Sequence, residues 1–182
     1  MRTSNSGALS PDDSHDAPAL RAFALILEKL GRRDHTEKEL VTALLRKEVP
    51  RAAVHAAIVK ARREGLVNDL RLAARLARNA AGAGLRGPRR VVAKLRQKGV
   101  AAETAKAATR EAYEPSEEQE ALLIGLAGRL FQRARAADPR SKRLKVLRSL
   151  VGRGFELSDA KRALRSAETA LMIENRRDDA SE

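Results

Sequence analysis

The amino-acid sequence predicts an all-α fold of three tandem three-helix repeats. Ala, Leu and Arg number 34, 24 and 27 among the 182 residues, and all three types have high helix propensity. Val, Ile and aromatic residues, which favour strands, number only 10, 4 and 4. Helical periodicity runs through almost the whole chain, and Gly, Pro and capping residues divide it into nine segments.

Each predicted helix begins near a residue that opens or caps a helix. Thr36 and Glu39 match the capping box, in which each side chain bonds the other residue's backbone amide, at the start of the second helix. Pro50 opens the third helix, because the first turn needs no N–H there, and Ser116 caps the seventh. The nine predicted helices cover about residues 18–30, 36–47, 50–64, 68–81, 88–98, 101–113, 116–136, 139–152 and 158–172.

Apolar residues at three- and four-residue spacing give most of these helices one face to bury. Glycine or proline follows most of the faces and stops the helix. The predicted faces are Leu20, Phe23, Leu27 and Leu30 in the first helix; Leu40, Ala43 and Leu44 in the second; Val54, Ala57, Ile58 and Ala61 in the third; Leu72, Leu76 and Ala80 in the fourth; Val91, Val92 and Leu95 in the fifth; and Leu144, Leu147 and Leu150 in the eighth.

The second helix of each triplet carries an internal repeat. Residues 94–100, KLRQKGV, align with residues 43–49 at a shift of 51 positions and with residues 149–155 at a shift of 55. Chance alignment of similar helices is the alternative, but several positions coincide in the same helix order, which favours true repetition. The superposed sets are Leu40, Val91 and Val146; Leu44, Leu95 and Leu150; Lys47, Lys98 and Arg153; and Val49, Val100 and Phe155.

The repeat order predicts the domain organisation. Each repeat has about 50 residues, which is too few to bury much surface alone, so neighbouring repeats should support one another in an elongated, quasi-linear molecule. The predicted divisions are a disordered tail at 1–18, three-helix repeats at 19–69, 70–115 and 116–172, and a polar tail at 173–182.

The formal net charge of +13 is unevenly distributed and indicates an acidic partner. Repeat two has 11 basic and 3 acidic residues, a net +8, whereas repeats one and three carry +4 and +5 and each tail carries −2. Two basic runs occupy corresponding repeat positions, which favours polyanion or acidic-protein binding over the alternative of a merely solvated surface. The candidate binding residues are Arg86, Arg89, Arg90, Lys94, Arg96, Lys98, Arg140, Lys142, Arg143, Lys145, Arg148 and Arg153.

Four of these cations are predicted to form a stripe on the fifth helix. Arg86, Arg90, Lys94 and Lys98 follow one another at intervals of four residues, and no acidic residue interrupts them. Because like charges along one face repel one another, a counter-anion is expected to bind there.

The same residues disfavour other classes of function. Without Cys, and with three scattered His, the chain offers no disulfide framework and no zinc site. It has no apolar run long enough to span a membrane and no secretory signal, so we expect a cytoplasmic location. The GxGxxG string at Gly82–Gly87 follows a helical run instead of a strand, so no nucleotide cofactor is expected. No catalytic constellation is visible, and we expect no enzymatic activity.

The helical triplets could alternatively serve as helix-turn-helix modules of a free-standing DNA-binding protein, such as a transcriptional regulator. The cations are Arg and Lys, with few Asn or Gln to read adenine, so they suit phosphates or acidic protein faces better than base edges.

Four stretches, taken together in order and spacing, are similar to one known family. They are Ala24–Val49, with Arg33, Thr36, Glu39 and Leu40; Gly65–Gly82, with Gly65, Asn68, Asp69 and Ala73; Gly87–Val100; and Lys142–Leu164, with Arg153, Gly154 and Phe155. Over about residues 20–166 the chain resembles RecX, a family of bacterial proteins that modulate the RecA recombinase. Two positions depart from the family pattern, since Glu48 interrupts an expected Lys-Gly-apolar turn and Leu72 stands where Phe is expected.

The resemblance implies both a fold and a function. The family's fold is three tandem three-helix repeats in an extended, curved array. Its members bind the RecA–DNA filament, lie in its helical groove, and inhibit strand exchange, ATP hydrolysis and co-protease activity. The resemblance therefore implies a monomeric, non-enzymatic regulator of homologous recombination and the SOS response. Its expected partners are the RecA filament and single- and double-stranded DNA, without a membrane, and its basic stripes would meet DNA phosphates or acidic filament surfaces.

Overall fold

The computed structural model describes residues 13–82 and 86–179, and within these ranges the chain forms nine α-helices and no strand. This confirms the predicted all-α class. In chain order the helices are α1 (Asp13–Leu30), α2 (Glu37–Leu45), α3 (Arg51–Arg63), α4 (Asp69–Ala81), α5 (Pro88–Gln97), α6 (Ala102–Ala112), α7 (Glu117–Arg133), α8 (Pro139–Gly152) and α9 (Leu157–Asp179).

Local capping chemistry sets several helix starts as the sequence predicts. The capping box is present: the Thr36 side chain accepts a hydrogen bond from the Glu39 N–H, and the Thr36 N–H donates to the Glu39 carboxylate, each at 3.1 Å. Ser116 caps α7 by accepting from the Gln119 N–H at 3.1 Å. Asn68 caps α4 in the same way, accepting from the Arg71 N–H at 2.9 Å.

Two helix ends differ most from the prediction. α1 begins at Asp13, before Pro18, and α9 continues past Met172 to Asp179. Polar residues without an apolar period can still extend a helix that packing has already nucleated, and in α9 the added residues include Glu and Arg, which favour a helix. Of the predicted tails, residues 1–12 and 180–182 lie outside the described part of the chain.

The described residues form two compact units. Unit 1 contains those up to Leu72 together with the short segment Lys98–Val100. Unit 2 contains Ala73–Gln97 and the described residues from Ala101 onward. α4 begins in unit 1 and continues in unit 2.

The core of unit 1 lies between α1, α2 and α3. The predicted face of α3 is buried at all four positions, Val54, Ala57, Ile58 and Ala61. The predicted face of α1 was partly wrong. Leu20 and Leu27 are 59% and 44% exposed, whereas Ala22 and Ile26 are completely buried. The small Ala22 side chain allows α1 to pack closely on α3. The buried face of α1 is therefore centred on Ala22 and Ile26 instead of the predicted Leu20 and Leu27.

Unit 2 has its main described core between α7, α8 and α9, and α5 packs on α6. Val146 and Leu150 of α8 are fully buried in that core, beside Ala160 of α9. Leu144 of the predicted α8 face is exposed instead, because the face turns toward Val146.

The internal repeat has a structural counterpart in both units. Leu44, Leu95 and Leu150 are all 1% exposed or less. In each repeat the helix then ends in a left-handed turn, which satisfies carbonyl groups that the helix leaves free. The register-equivalent turn residues are Glu48, Gly99 and Gly154, with φ angles of 59°, 98° and 95°.

Replacing Glu48 with glycine is expected to stabilise the protein by about 1 kcal/mol, because a side chain in the left-handed region strains the backbone. Glu48 is the one non-glycine residue with positive φ among those described. The measurement is the urea midpoint of unfolding. Lys47→Gly, at a neighbouring position without positive φ, is the control and should lower the midpoint. A midpoint for Glu48→Gly at or below that of the wild type would contradict this account of the turn.

Candidate functional site

The two predicted basic runs lie on α5, α8 and the segments that flank them. Nine of the twelve candidate cations are exposed, whereas Lys98, Lys142 and Arg153 are half-buried. An exposed cation can bind an external anion only if its charge is not already paired within the protein. The side-chain partners of each candidate therefore determine whether it can contribute to a binding site.

Three of the candidates converge on one cavity in unit 2. Arg86, Arg90 and Arg153 line a cavity of about 530 Å³ together with Ser149 and Gly152. The Arg90 guanidinium donates a hydrogen bond from Nη1 to the Gly152 carbonyl at 2.9 Å, which fixes its direction. None of these lining residues is acidic, so the cavity, which we call the arginine cleft, concentrates positive charge.

A close backbone approach lies next to the arginine cleft, at residues adjacent to Arg86 and Arg153. The Gly87 N–H donates to the Arg153 carbonyl at 2.8 Å, and the Arg89 N–H donates to the Gly154 carbonyl at 3.2 Å. A Cβ atom on Gly87 would lie 2.0 Å from the Gly154 carbonyl carbon, so no larger residue fits there. The segment before α5 and the turn after α8 are therefore in direct backbone contact.

Tyr113, at the end of α6, supports the same segment. Its hydroxyl donates a hydrogen bond to the Arg86 carbonyl. Burial raises the pKa of the Tyr113 phenol to about 12, and the nearby positive charge of Arg86 acts in the opposite direction. The phenol therefore stays protonated at physiological pH and keeps its hydrogen bond to Arg86.

Four other predicted cations have partners inside unit 2. In these contacts the positive charge or the N–H donors of the four side chains are used within unit 2, where they help to stabilise the fold. Arg89 pairs with Glu156; Lys142 lies over the Phe131 ring, 4.3 Å from its centroid; Arg143 pairs with Glu168 at 2.7 Å; and Lys145 donates to the Arg135 carbonyl at 2.6 Å.

Four further candidate cations are exposed and have no ion-pair partner among the described residues. Lys94, Arg96, Arg140 and Arg148 make no side-chain ion pair with any residue in the described ranges. They are therefore available to an external anion.

The predicted four-residue stripe does not continue to Lys98. α5 ends at Gln97, and Lys98 belongs to unit 1. There the Lys98 ammonium pairs with the Glu39 carboxylate at 2.7 Å, and the Lys98 carbonyl accepts from the Thr36 hydroxyl at 2.6 Å. A side chain that is already neutralised by Glu39 stabilises unit 1 and contributes little free positive charge.

Glu39 titrates far from its ordinary range. Partial burial by itself would raise the pKa of the carboxyl group, but hydrogen bonds from Lys98, the Thr36 backbone and Arg33 outweigh burial. The result is a pKa of about 2, below the ordinary 4.5. Because the folded-state pKa is depressed, the ionised carboxylate stabilises the fold above about pH 4.5. This stabilisation is lost as the pH falls from about 4.5 toward 2.

Glu39→Gln is expected to destabilise the protein by about 2 kcal/mol at pH 7, because it removes the charge but keeps the capping shape. The free energy of unfolding should be measured by urea titration at pH 7 and at pH 3. The difference between wild type and variant should shrink at the lower pH, because the Glu39 carboxyl of the unfolded chain binds a proton near its ordinary pKa of 4.5 while that of the folded chain stays largely ionised. A constant difference would show that the ion pair does not govern stability.

Sequence reasoning identified the three arginines but not what brings them together. The roles of Gly87, Gly154, Tyr113 and Ser149 depend on contacts between distant segments. The one sequence signal that could have indicated the contact is the glycine that the repeat register places at both Gly99 and Gly154, where the structure has positive φ angles.

The described part of the chain has neither a membrane-spanning helix nor a cluster of metal-ligating side chains. No described helix has both the length and the apolar character needed to cross a bilayer. No group of three or more His, Asp or Glu side chains within it could hold a metal ion. The helical run before the GxGxxG string is confirmed as α4, and residues 83–85 of that string lie outside the described ranges.

The fold and the arginine cleft define a basic, all-helical protein with an internal helical repeat. Family models for the first and second three-helix domains of RecX match residues 22–60 and 68–108. The regulatory protein RecX of Thermobifida fusca (strain YX) is 32% identical over 174 residues, which cover 92% of this chain and 88% of that protein. The chain therefore belongs to the RecX family of regulatory proteins.

Further relatives agree with this assignment. The regulatory protein RecX of Limosilactobacillus reuteri (strain DSM 20016) is 30% identical over 138 residues, or 76% of this chain, and this chain spans about half, 52%, of its length. A crystal structure of a regulatory protein RecX superposes with a TM-score of 0.76 at 26% identity, covering 88% of this chain and 81% of the other. RecX from Lactobacillus salivarius has the same fold, with a TM-score of 0.76 at 21% identity over 84% of this chain and 97% of its own.

Proposed function

We propose that the protein regulates homologous recombination and the SOS response by binding RecA nucleoprotein filaments and inhibiting recombinase, ATPase and co-protease activities. Membership of a regulatory family across 92% of the chain carries this proposal. Its partners are the RecA filament and single- and double-stranded DNA. It acts as a cytoplasmic monomer and catalyses no reaction of its own.

The chemistry of unit 2 supports this function. A filament presents DNA phosphates and acidic protein side chains, and the protein presents arginines with no acidic lining residue in the described cleft. Such contacts position a protein on a polyanion without selecting a sequence, which suits a partner that covers DNA of any sequence. The three predicted repeats, at 19–69, 70–115 and 116–172, would each provide a separate contact along the filament.

Binding to bare and RecA-coated DNA separates this function from its alternative, a free-standing DNA-binding protein. Fluorescence anisotropy of a labelled oligonucleotide is measured with and without a RecA filament held by a non-hydrolysable ATP analogue. We expect about tenfold tighter binding to the filament, since protein contacts add to phosphate contacts. Equal or tighter binding to bare DNA would contradict the proposal and favour the alternative.

A further inference from the structure

Each unit has a hydrogen bond to the backbone carbonyl of a turn residue, at positions that the repeat register makes equivalent. In unit 1 the Thr36 hydroxyl donates to the Lys98 carbonyl at 2.6 Å. In unit 2 the Gly87 N–H donates to the Arg153 carbonyl at 2.8 Å. The shift of 51 positions relates Thr36 to Gly87, and the shift of 55 relates Lys98 to Arg153. Each contact places the start of one helix against a left-handed turn.

The side chains beside the two contacts differ in charge. In unit 1 the Glu39 carboxylate pairs with Lys98 at 2.7 Å and with Arg33 at 3.3 Å, so the cations at this contact already have an anionic partner. The register equivalents in unit 2 are Arg90, which replaces the glutamate, and Arg153, which replaces the lysine. Two guanidinium groups therefore stand where the other contact has an ion pair, and Arg86 adds a third.

We propose that the arginine cleft is a phosphate-binding site, in which a phosphate group of the DNA backbone takes the role that the Glu39 carboxylate has in unit 1. Guanidinium groups bind phosphate through paired, charge-assisted hydrogen bonds. A phosphate group has more oxygen acceptors than a carboxylate, so it is the better ligand for three guanidinium groups. The Ser149 hydroxyl adds a donor at the cavity wall. This inference rests on the proposed function for the source of the phosphate, which is DNA within the filament.

The surroundings of the cleft favour a polymer over an isolated ion. Lys94 lies on α5 one turn after Arg90, and Arg148 lies on α8 next to Ser149. Both are exposed, and neither has an ion-pair partner among the described residues. A backbone with successive phosphates can engage these cations in addition to the cleft.

Occupation of the cleft should stabilise the folded protein, because it relieves repulsion between Arg86, Arg90 and Arg153. The test compares thermal unfolding in sodium phosphate and in sodium chloride at equal ionic strength. The variant is Arg153→Glu, which supplies a carboxylate inside the cleft. The matched control is Arg165→Glu, which makes the same charge change at an exposed position of α9 outside the cleft.

We expect phosphate to raise the melting temperature of wild type and Arg165→Glu, and to leave that of Arg153→Glu unchanged. Affinity for a single-stranded oligonucleotide should fall about tenfold in Arg153→Glu and by less than about threefold in the control. If circular dichroism shows that Arg153→Glu does not fold, Arg153→Gln replaces it with the same two expectations.

Two results would overturn the phosphate site. One is an equal rise in melting temperature for all three proteins, which indicates a general salt effect. The other is loss of binding to poly-glutamate in Arg153→Glu while oligonucleotide binding persists, which indicates an acidic protein partner. RecA is absent from these experiments, so their failure is distinguishable from failure of the filament regulation proposed above.

Discussion

Replacing Gly87 with alanine is expected to destabilise the protein by about 3 kcal/mol or more, the largest effect of any single methyl group considered. The added Cβ would lie 2.0 Å from the Gly154 carbonyl carbon and 2.1 Å from the Phe155 nitrogen. Both are backbone atoms, which cannot rotate away as a side chain can. The two segments must separate, and the 2.8 Å hydrogen bond from the Gly87 N–H to the Arg153 carbonyl is then lost.

Gly152→Ala is the matched control, only two residues from Gly154. A Cβ on Gly152 meets no atom within 4 Å, and the residue ends α8 without positive φ. Its stability should equal that of the wild type or exceed it by about 0.5 kcal/mol, because alanine favours a helix over glycine. Urea unfolding measures both variants. Similar midpoints for Gly87→Ala and the wild type would show that the close backbone approach is absent in solution.

Replacing Arg86, Arg90 and Arg153 together by alanine is expected to weaken binding to RecA-coated DNA by about 100-fold at low salt. The triple change removes the described cations that line the cleft and leaves the paired Arg89, Arg143 and Lys145 in place. Binding should also become less sensitive to salt. The slope of log affinity against log salt should fall by about two to three, since each phosphate contact releases counterions.

A second triple variant makes the comparison specific. Arg110, Arg129 and Arg165 are exposed arginines of unit 2 outside the cleft. Their replacement by alanine lowers the net charge by the same amount. Equal losses of affinity for the two triple variants would mean that overall charge, and not the cleft, governs binding.

Local sequence signals predicted the helices well, because caps and breaks act within a few residues. The Thr36–Glu39 box and the Ser116 cap depend on neighbours three positions away, and both are present. The buried face of α1 was harder to predict. Leucine is more apolar than alanine, but close packing on α3 selected Ala22 and Ile26 and left Leu20 exposed.

The candidate site shows where sequence reasoning reaches its limit. The repeat register predicted equivalent leucines, and all three are buried. It could not show that Arg86 lines the same cavity as Arg153, which lies 67 positions later, because no local pattern links them. Nor could charge alone distinguish Lys98, which pairs with Glu39, from Arg90, which has no acidic neighbour in the cleft.

The register explains this difference in chemical terms. Glu39 and Lys98 in unit 1 become Arg90 and Arg153 in unit 2. In unit 1 the contact contains an ion pair between these two side chains. In unit 2 both equivalent side chains are positively charged, so the contact has no anion of its own. A repeat protein can acquire a binding site in this way by changing one side chain at a contact that already holds its fold together.

ATP hydrolysis by RecA filaments on single-stranded DNA tests the central claim most directly. The protein is added up to equimolar amounts with RecA, and the rate of hydrolysis is followed for the wild type and the two triple variants. We expect the wild type and the Arg110, Arg129 and Arg165 variant to inhibit hydrolysis, and the Arg86, Arg90 and Arg153 variant to inhibit it weakly. An unchanged rate with the wild-type protein would contradict filament regulation, and equal inhibition by both variants would contradict the role of the arginine cleft.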